Sequence, residues 1–417
     1  MIRTKQLLLI LTALFIVLCG TAQESSRFDA KELKKDKNYG WQNYIQINGY
    51  KGVHLVEGGA PDLLKDGFWG GGLRVGTQAT GRKEWQRLHA YPQYGFGVSF
   101  FNLGGLVIDS LLGKPTSFYF FYGEPIVRFG KYRLNADVEV GIATDFKPYD
   151  PETNVHQVYI GAKSNLHFNF SFQMYYELTK RMDLAMGLSF MHFSNGRTFT
   201  PQHGINLLGL NLAASYHYNP VRNFTKYIAP DYQPPIRATF IDKQLLEFKP
   251  QHDLIFMTSI GTMQESPGKY KNELGELDTT VNRGPRYLTS SLSVEYAWHF
   301  EYRLKAVAGL DMFYDGSTEN YYENILPQNT TFTDKSFYGT HVGIQYLIER
   351  ITFMFQYGRY LYKPFERRGK WYMRVGGRVG ITEHAAVHIA LKTRNGGSAD
   401  WIEWGLAYKI NTGALRK

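Results

Sequence analysis

Apolar and polar side chains alternate with a period of two over most of the chain. Over residues 134–142 every second residue is apolar, and the positions between them include Asp137 and Glu139. The same alternation runs over residues 166–178 and 302–312. A period of two places successive side chains on opposite faces of an extended strand. The pattern therefore predicts β-strands that each have one apolar face and one polar face.

The alternating segments are long and numerous, with eight before residue 220 and eight after residue 250. Several exceed the roughly 9–11 tilted residues that a strand needs to cross a bilayer, whereas strands of soluble sheets usually have about 5–6 residues. We therefore predict an all-β fold, a transmembrane antiparallel β-barrel with about eight strands per half, arranged as two tandem barrels or one wide barrel. The predicted strands lie near residues 49–57, 68–79, 90–101, 117–128, 131–144, 163–178, 182–193, 205–218, 252–264, 285–299, 301–314, 336–348, 351–360, 370–381, 385–394 and 400–411.

Proline residues separate the two sets of strands. Five prolines occur between residues 219 and 251, and proline interrupts both helices and strand pairing. We predict a first barrel over residues 46–219, a proline-rich linker over residues 220–250, and a second set of strands over residues 251–417.

The N-terminal segment has the features of a secretory signal peptide. Arg3 and Lys5 precede an apolar run over residues 7–18, and small residues follow up to Ala22. We predict that residues 1–22 direct export and that the polar residues 23–45 form a periplasmic lead. Removal of the signal also removes the only cysteine of the chain, so the mature protein is expected to have no disulfide and no thiolate metal site.

Composition and charge agree with a barrel in an outer membrane. The chain has 30 Tyr, 28 Phe and 42 Gly, which favour strands and tight turns. A mean hydropathy of −0.33 excludes a bundle of apolar membrane helices but permits a barrel with a polar lumen. Loss of the two basic signal residues lowers the net charge from +10 to +8. The remaining basic residues are scattered, which predicts an anionic lipid surface as partner rather than nucleic acid.

Three polar side chains are predicted on the lipid-facing side of the seventh and eighth strands. The apolar positions of residues 182–190, continued by twos, place His192 and Ser194 on this face, and counting back from Leu208 adds Asn206. Polar groups facing lipid are costly and usually functional. A serine, a histidine and an orienting amide can act as nucleophile, general base and third member of a hydrolytic triad. The alternative is an ordinary polar belt at the membrane interface.

The residues around this candidate site resemble a known family. The motif His-Phe-Ser-Asn-Gly at residues 192–196, followed by Pro201 and the Gly-Ile pair that opens the strand to Tyr218, is similar to the outer-membrane lipid A 3-O-deacylases. The resemblance covers about residues 90–218, and residues 250–417 lie outside it. It implies an eight-stranded barrel that hydrolyses the ester-linked acyl chain at position 3 of lipid A, and therefore a carboxylic ester hydrolase.

The resemblance also implies roles for individual residues. Ser194 becomes the nucleophile and His192 the general base, while Asn195 and the Gly196 backbone N–H stabilise the oxyanion. No cofactor and no metal are implied. The expected substrate is lipid A or lipopolysaccharide in the outer leaflet of the outer membrane of a Gram-negative cell.

This sequence departs from the deacylase pattern at two positions. The third member of the family's triad is a glutamate, whereas Asn206 stands there. A loop asparagine of the family falls on Gln202, which we assign to substrate binding. Arg197, beside the motif, either contacts a lipid A phosphate or is a solvated loop residue.

The same motif is also similar to outer membrane phospholipase A, whose site reads His-x-Ser-Asn-Gly-Arg with a later asparagine. Asn206 matches that asparagine, but the calcium-binding aspartate of the phospholipase falls on Phe199. A phospholipase is therefore the second prediction, with phospholipid as substrate. A non-enzymatic porin-like or structural barrel is the third.

The second set of strands lacks the triad. Alignment of its Asn-Gly turn on residues 195–196 places Lys392 and Arg394 where His192 and Ser194 stand. We predict that this half is not catalytic, and that inward residues such as Glu403 form either a packed polar core or the lining of a solute channel.

Overall fold

The computed structural model describes most of the chain in twelve segments. Residues 1–22 of the predicted signal peptide, most of the predicted lead, Gln202 and most of the predicted linker lie outside them. The described residues are 42–55, 67–79, 83–104, 109, 111–179, 181–201, 203–218, 248–264, 284–318, 330–364, 369–395 and 397–412.

The described residues form sixteen strands in two closed antiparallel barrels of eight strands each. Neighbouring strands pair in chain order, β1 closes the first barrel on β8, and β16 closes the second on β9. The all-β barrel prediction is confirmed, with two barrels rather than one wide barrel. No helix in the described segments is long and apolar enough to cross a bilayer. The elements are β1 (Gln42–His54), β2 (Phe68–Gln78), α1 (Glu84–Leu88), β3 (Gln93–Asn102), β4 (Gly113–Phe129), β5 (Tyr132–Phe146), β6 (Asn165–Glu177), β7 (Met182–Ser194), β8 (Ile205–His217), β9 (Gln251–Gln264), β10 (Arg286–Glu301), β11 (Leu304–Asp315), a 3₁₀ turn (Thr333–Lys335), β12 (Ser336–Ile348), β13 (Ile351–Tyr362), β14 (Trp371–Gly380), β15 (Ala385–Arg394) and β16 (Ser398–Asn411).

The first strand begins earlier than the sequence predicted. β1 starts at Gln42 rather than near residue 49, so its first residues lie within the predicted lead. Its inward side chains Tyr44 and Gln46 are buried, whereas Ile45 and Ile47 point outward and are exposed. Only these two aliphatic residues mark the outward face here, which is too short an alternation to stand out in the sequence.

Apolar side chains cover the outside of both barrels. Phe96 of the first barrel is 72% exposed and Leu310 of the second is 62% exposed, and they belong to a large set of exposed apolar residues on the strands. Such an apolar surface is unfavourable in water and is stable in contact with lipid tails. The outward faces therefore fit a bilayer.

Both lumens are packed with side chains, many of which are charged or polar. In the first barrel Arg74 forms ion pairs with Asp137, at 3.2 Å, and with Glu139. In the second, Arg374 Nε donates to Glu403 at 2.6 Å and its Nη1 donates to Asp311 at 3.1 Å. An eight-stranded barrel is just wide enough for its inward side chains. Of the two possibilities for the second half, the structure has the packed polar core.

The two barrels lie side by side with the same ends together. β4 and β5, and likewise β10 and β11, are joined by two residues, whereas the connections at the opposite ends are longer. At the short-turn end, Glu124 points out of the first barrel and accepts a hydrogen bond from Tyr346 of the second at 2.5 Å. Outer-membrane barrels have short periplasmic turns and long external loops. The long-loop end, where β7 meets β8, therefore corresponds to the external rim.

Candidate active site

Strands β7 and β8 position the three predicted triad residues. On β7 the odd-numbered residues Met191 and Phe193 are buried inside the first barrel, so His192 and Ser194 are on the outward face. The pairing of β7 with β8 sets His192 directly opposite Asn206. Directly opposed residues on one face of an antiparallel pair have Cβ atoms about 4.5–5.5 Å apart. The register alone therefore brings the imidazole to the amide.

A continuous chain of hydrogen bonds links the three side chains. His192 Nδ1 lies 2.6 Å from Asn206 Oδ1, and His192 Nε2 lies 2.9 Å from Ser194 Oγ. Because the amide oxygen only accepts, Nδ1 carries the proton in this arrangement. Nε2 then accepts from the Ser194 hydroxyl. This tautomer allows a histidine to remove a proton from serine.

The site loop, residues 195–201, begins with a tight turn next to Ser194. Thr198 N–H donates to Asn195 O at 3.1 Å, and the two central residues have φ of +57° at Gly196 and +68° at Arg197. Glycine adopts this backbone conformation freely. For a residue with a Cβ the left-handed region costs roughly 1–2 kcal/mol. Arg197 is therefore held in a strained conformation by its surroundings.

Arg197 is directed toward the second barrel. Its side chain is 2% exposed, and Nη1 lies 3.6 Å from Oδ1 of Asp400. The prediction that Arg197 is a solvated loop residue is wrong, because a pairing across the two barrels buries it. The sequence also suggested a contact with a lipid A phosphate; in this structure the guanidinium lies against Asp400.

The structure describes one of the two remaining predicted residues. Asn195 is buried, and its Oδ1 accepts from Phe199 N–H at 3.5 Å. Gln202 lies outside the described residues. The structure thus brings five of the predicted site residues into one region at the external rim, namely His192, Ser194, Asn195, Gly196 and Asn206.

Gly204 packs closely against His192 and Ser194, a contact that the motif did not reveal. Its φ is +71°, and its N–H donates to Tyr159 O at 3.0 Å. A Cβ at this position would lie 3.1 Å from His192 Cε1 and 3.3 Å from Ser194 Cβ. A Gly preceding a strand was the available signal. Tyr159 gave none, because its contact is made by backbone and comes from a different loop.

Another serine–histidine pair lies inside the first barrel. Ser117 Oγ is hydrogen-bonded to His167 Nδ1, and His167 Nε2 is 3.8 Å from Oε2 of Glu139. All three side chains are buried in the packed lumen, where no lipid can reach them. In the described segments, no three His, Cys, Asp or Glu side chains are placed to hold a metal ion.

The fold and this rim site are those of a membrane-type barrel protein with a serine–histidine pair facing the lipid. The family described as "Lipid A 3-O-deacylase (PagL)" matches residues 69–215, and "Acyloxyacyl hydrolase, C-terminal domain" matches residues 252–412. Together the matches cover well over half of the chain. The chain belongs to the lipid A 3-O-deacylase family, a family of outer-membrane proteins.

The second match corrects the extent of the resemblance. From the motif alone, the resemblance ended near residue 218, because the second set of strands carries no His-x-Ser sequence. The match over residues 252–412 makes the second barrel a domain of the same family.

Solved structures with similar topology are distant from this chain. Neisserial surface protein A is 7% identical, with 42% of this chain and 97% of that chain covered and a TM-score of 0.31. A de novo designed transmembrane β-barrel is 12% identical, with coverages of 40% and 100% and a TM-score of 0.23. CdiB from Acinetobacter baumannii is 8% identical, with coverages of 88% and 60% and a TM-score of 0.18. At these TM-scores the likenesses add nothing to the family assignment. No curated protein matches the chain.

Proposed function

We propose that the chain is an outer-membrane serine esterase that removes the ester-linked acyl chain at position 3 of lipid A. The observation that carries this proposal is the hydrogen-bond chain from Ser194 through His192 to Asn206 on the outward face of the first barrel. The family match supplies the substrate class. The triad faces outward at the external rim, on the side of an outer-leaflet lipid and away from the packed lumen, and Ser194 itself is 8% exposed.

The proposed reaction follows from this geometry. Ser194 Oγ attacks the ester carbonyl carbon while His192 Nε2 takes the hydroxyl proton. The tetrahedral intermediate collapses, the bond to the sugar 3-oxygen breaks, and His192 gives its proton to that oxygen. Water, deprotonated by His192, then hydrolyses the acyl-serine and releases a free fatty acid. Asn206 accepts from Nδ1–H throughout and so fixes the orientation of the ring.

The site loop supplies the proposed oxyanion contacts. Negative charge develops on the carbonyl oxygen in the tetrahedral intermediate, and preorganised donors stabilise it strongly. We assign this role to the Gly196 N–H and the Asn195 side-chain amide, which follow Ser194 directly. Gln202 keeps its assignment to substrate binding as part of the proposal.

Apolar side chains on the outward face fit the acyl chain of such a substrate. Phe168 lies beside His192 on β6, and Leu188 and Leu208 follow toward the middle of the strands. All three are exposed on the lipid side. A lipid approaching sideways would keep its chain against this surface while its ester reaches Ser194 at the rim.

The test is the lipid A of cells that express the protein. Mass spectrometry should show the loss of one 3-O-linked acyl chain with the wild type and an intact lipid A with Ser194→Ala. Equal lipid A profiles for vector, wild type and Ser194→Ala would contradict the proposal.

One observation favours a second candidate, a phospholipase A. Asn206 is an amide, as in the phospholipase pattern, rather than the glutamate of the deacylases. Phospholipid vesicles tested beside lipid A separate the two: Ser194-dependent release of fatty acid from phospholipid alone would identify the phospholipase.

A further inference from the structure

The site loop of the first barrel rests on the rim of the second barrel. Arg197 O accepts from Gln264 N–H at 3.0 Å, and Thr200 N–H donates to Gln264 Oε1 at 3.0 Å. Gln264 ends β9 and is itself buried. Its Nε2 donates to Gly284 O at 2.8 Å, which fixes the orientation of the amide. One residue of the second barrel therefore bonds to two residues of the loop.

A second set of contacts holds the turn itself. Asp400 pairs with Arg197 at 3.6 Å and with Lys392 of its own barrel at 2.6 Å. On the adjacent outward face, a Cβ at Gly196 would lie 2.4 Å from Cγ1 of Ile402. The close approach restrains Gly196 and the ion pair restrains Arg197, and these are the two residues with positive φ. The strained backbone that follows Ser194 is thus held by the second barrel.

A cation–π contact also joins the site loop to the second barrel. The guanidinium of Arg286, at the start of β10, lies 3.8 Å from the centre of the Phe199 ring. Phe199 N–H donates to the side chain of Asn195. Through Phe199, the second barrel is therefore connected to Asn195, the residue that follows Ser194.

We propose that the second barrel is a positioning element for the reaction of the first, acting through Gln264 and Asp400. These residues set the backbone of residues 195–200, and through it the Gly196 N–H and the Asn195 amide relative to Ser194. The inference rests on the proposed function and assigns a role to the domain that lacks a triad. Neither Gln264 nor Asp400 contacts the reacting atoms in this role.

Two substitutions of Gln264 separate positioning from stability. Gln264→Met keeps the length of the side chain but removes the acceptor for Thr200 N–H. Gln264→Glu keeps that acceptor but loses the donor to Gly284 O and buries a carboxylate, which destabilises a fold more than a buried Met does. If Gln264 only stabilises the fold, Gln264→Met is the milder change. If it positions the loop, Gln264→Met lowers kcat at least about tenfold while Gln264→Glu keeps most of it.

The pair at Asp400 has a matched control in the same barrel. Asp400→Asn and Asp253→Asn each remove a buried carboxylate that pairs with a lysine, since Asp253 lies 2.6 Å from Lys305. Asp253 is at the opposite end of the second barrel, at the start of β9. We expect Asp400→Asn to lower kcat with KM changed little, and Asp253→Asn to leave both within about twofold because it is far from the loop.

The experiment uses the full-length protein in detergent micelles with purified lipid A, and it has two readouts. Hydrogen exchange of the Thr200 amide should rise in Gln264→Met and not in Asp253→Asn, whether or not lipid A is the substrate. The kcat for fatty acid release should follow the order wild type, Gln264→Glu, Gln264→Met. Unchanged exchange at Thr200, or wild-type kcat in both Gln264→Met and Asp400→Asn, would overturn the inference. A wild type without Ser194-dependent hydrolysis would overturn the proposed function instead, and the exchange readout would still decide whether the second barrel holds the loop.

Discussion

Replacement of Asn206 gives the most quantitative test of the proposed triad. Asn206→Ala removes the acceptor that lies 2.6 Å from His192 Nδ1 and leaves Ser194 and His192 in place. The imidazole becomes cationic when it takes the serine proton, so the lost hydrogen bond is one to a charged group. Such a bond contributes about 1.5–3 kcal/mol, which corresponds to a fall in kcat of roughly 10- to 150-fold. KM should change little, because the charge develops only in the transition state.

Asn206→Asp completes this prediction, because it has nearly the same shape and adds a negative charge. An aspartate oxygen still accepts from Nδ1–H and also stabilises the cationic imidazole, so we expect kcat to equal or exceed that of the wild type. At the membrane interface the desolvation of the carboxylate is partial and costs less than this gain.

The assay is the rate of fatty acid release from lipid A by folded protein in micelles. Thr144→Ala is the control, since Thr144 is an outward polar residue at the same rim of the first barrel, on β5. It should retain the wild-type rate within about twofold. Wild-type kcat in a folded Asn206→Ala variant would refute the view that Asn206 orients His192.

Four further predictions follow from single residues. His192→Gln removes the proposed general base and should lower kcat by about 10²–10⁴-fold, measured with the same lipid A assay. Gly204→Ala introduces a Cβ beside His192 at a φ of +71°; it should destabilise the protein by about 1–2 kcal/mol and lower kcat roughly tenfold by displacing the ring. Arg74→Ala leaves two buried carboxylates without their partner and should lower the free energy of unfolding in urea by about 3–5 kcal/mol. Loss of the exposed pair between Lys83 and Glu349, by Lys83→Ala, should lower it by no more than about 1 kcal/mol.

Most of the fold was predictable because the membrane imposes a simple rule on each strand. Alternation of apolar and polar residues marked at least part of each of the sixteen strands, although it missed the start of β1. The number of strands limited the architecture to two barrels or one. The choice between them depends on whether β8 pairs with β1 or with a strand of the second half. That pairing is a contact between distant residues, and the alternation pattern carries no information about it.

The arrangement of the proposed triad was predictable for the same reason. The alternation of side chains along β7 and β8 placed His192, Ser194 and Asn206 on one face, and the register of the hairpin brought them together. The burial of Arg197 was not predictable, because its partner Asp400 lies in the other barrel. The contact of Gln264 with the site loop was not predictable for the same reason. The alternation along β9 does not distinguish a rim residue that faces solvent from one that hydrogen-bonds to a loop of the other barrel.

The rate of 3-O-deacylation by purified Ser194→Ala protein, compared with wild type on the same lipid A micelles, tests the central claim most directly. Removal of the proposed nucleophile should lower the rate by at least about 10³-fold, while the heat-modifiable migration of the folded barrels stays unchanged. Loss of the 3-O-linked chain at the wild-type rate in folded Ser194→Ala would contradict the claim that Ser194 attacks the ester.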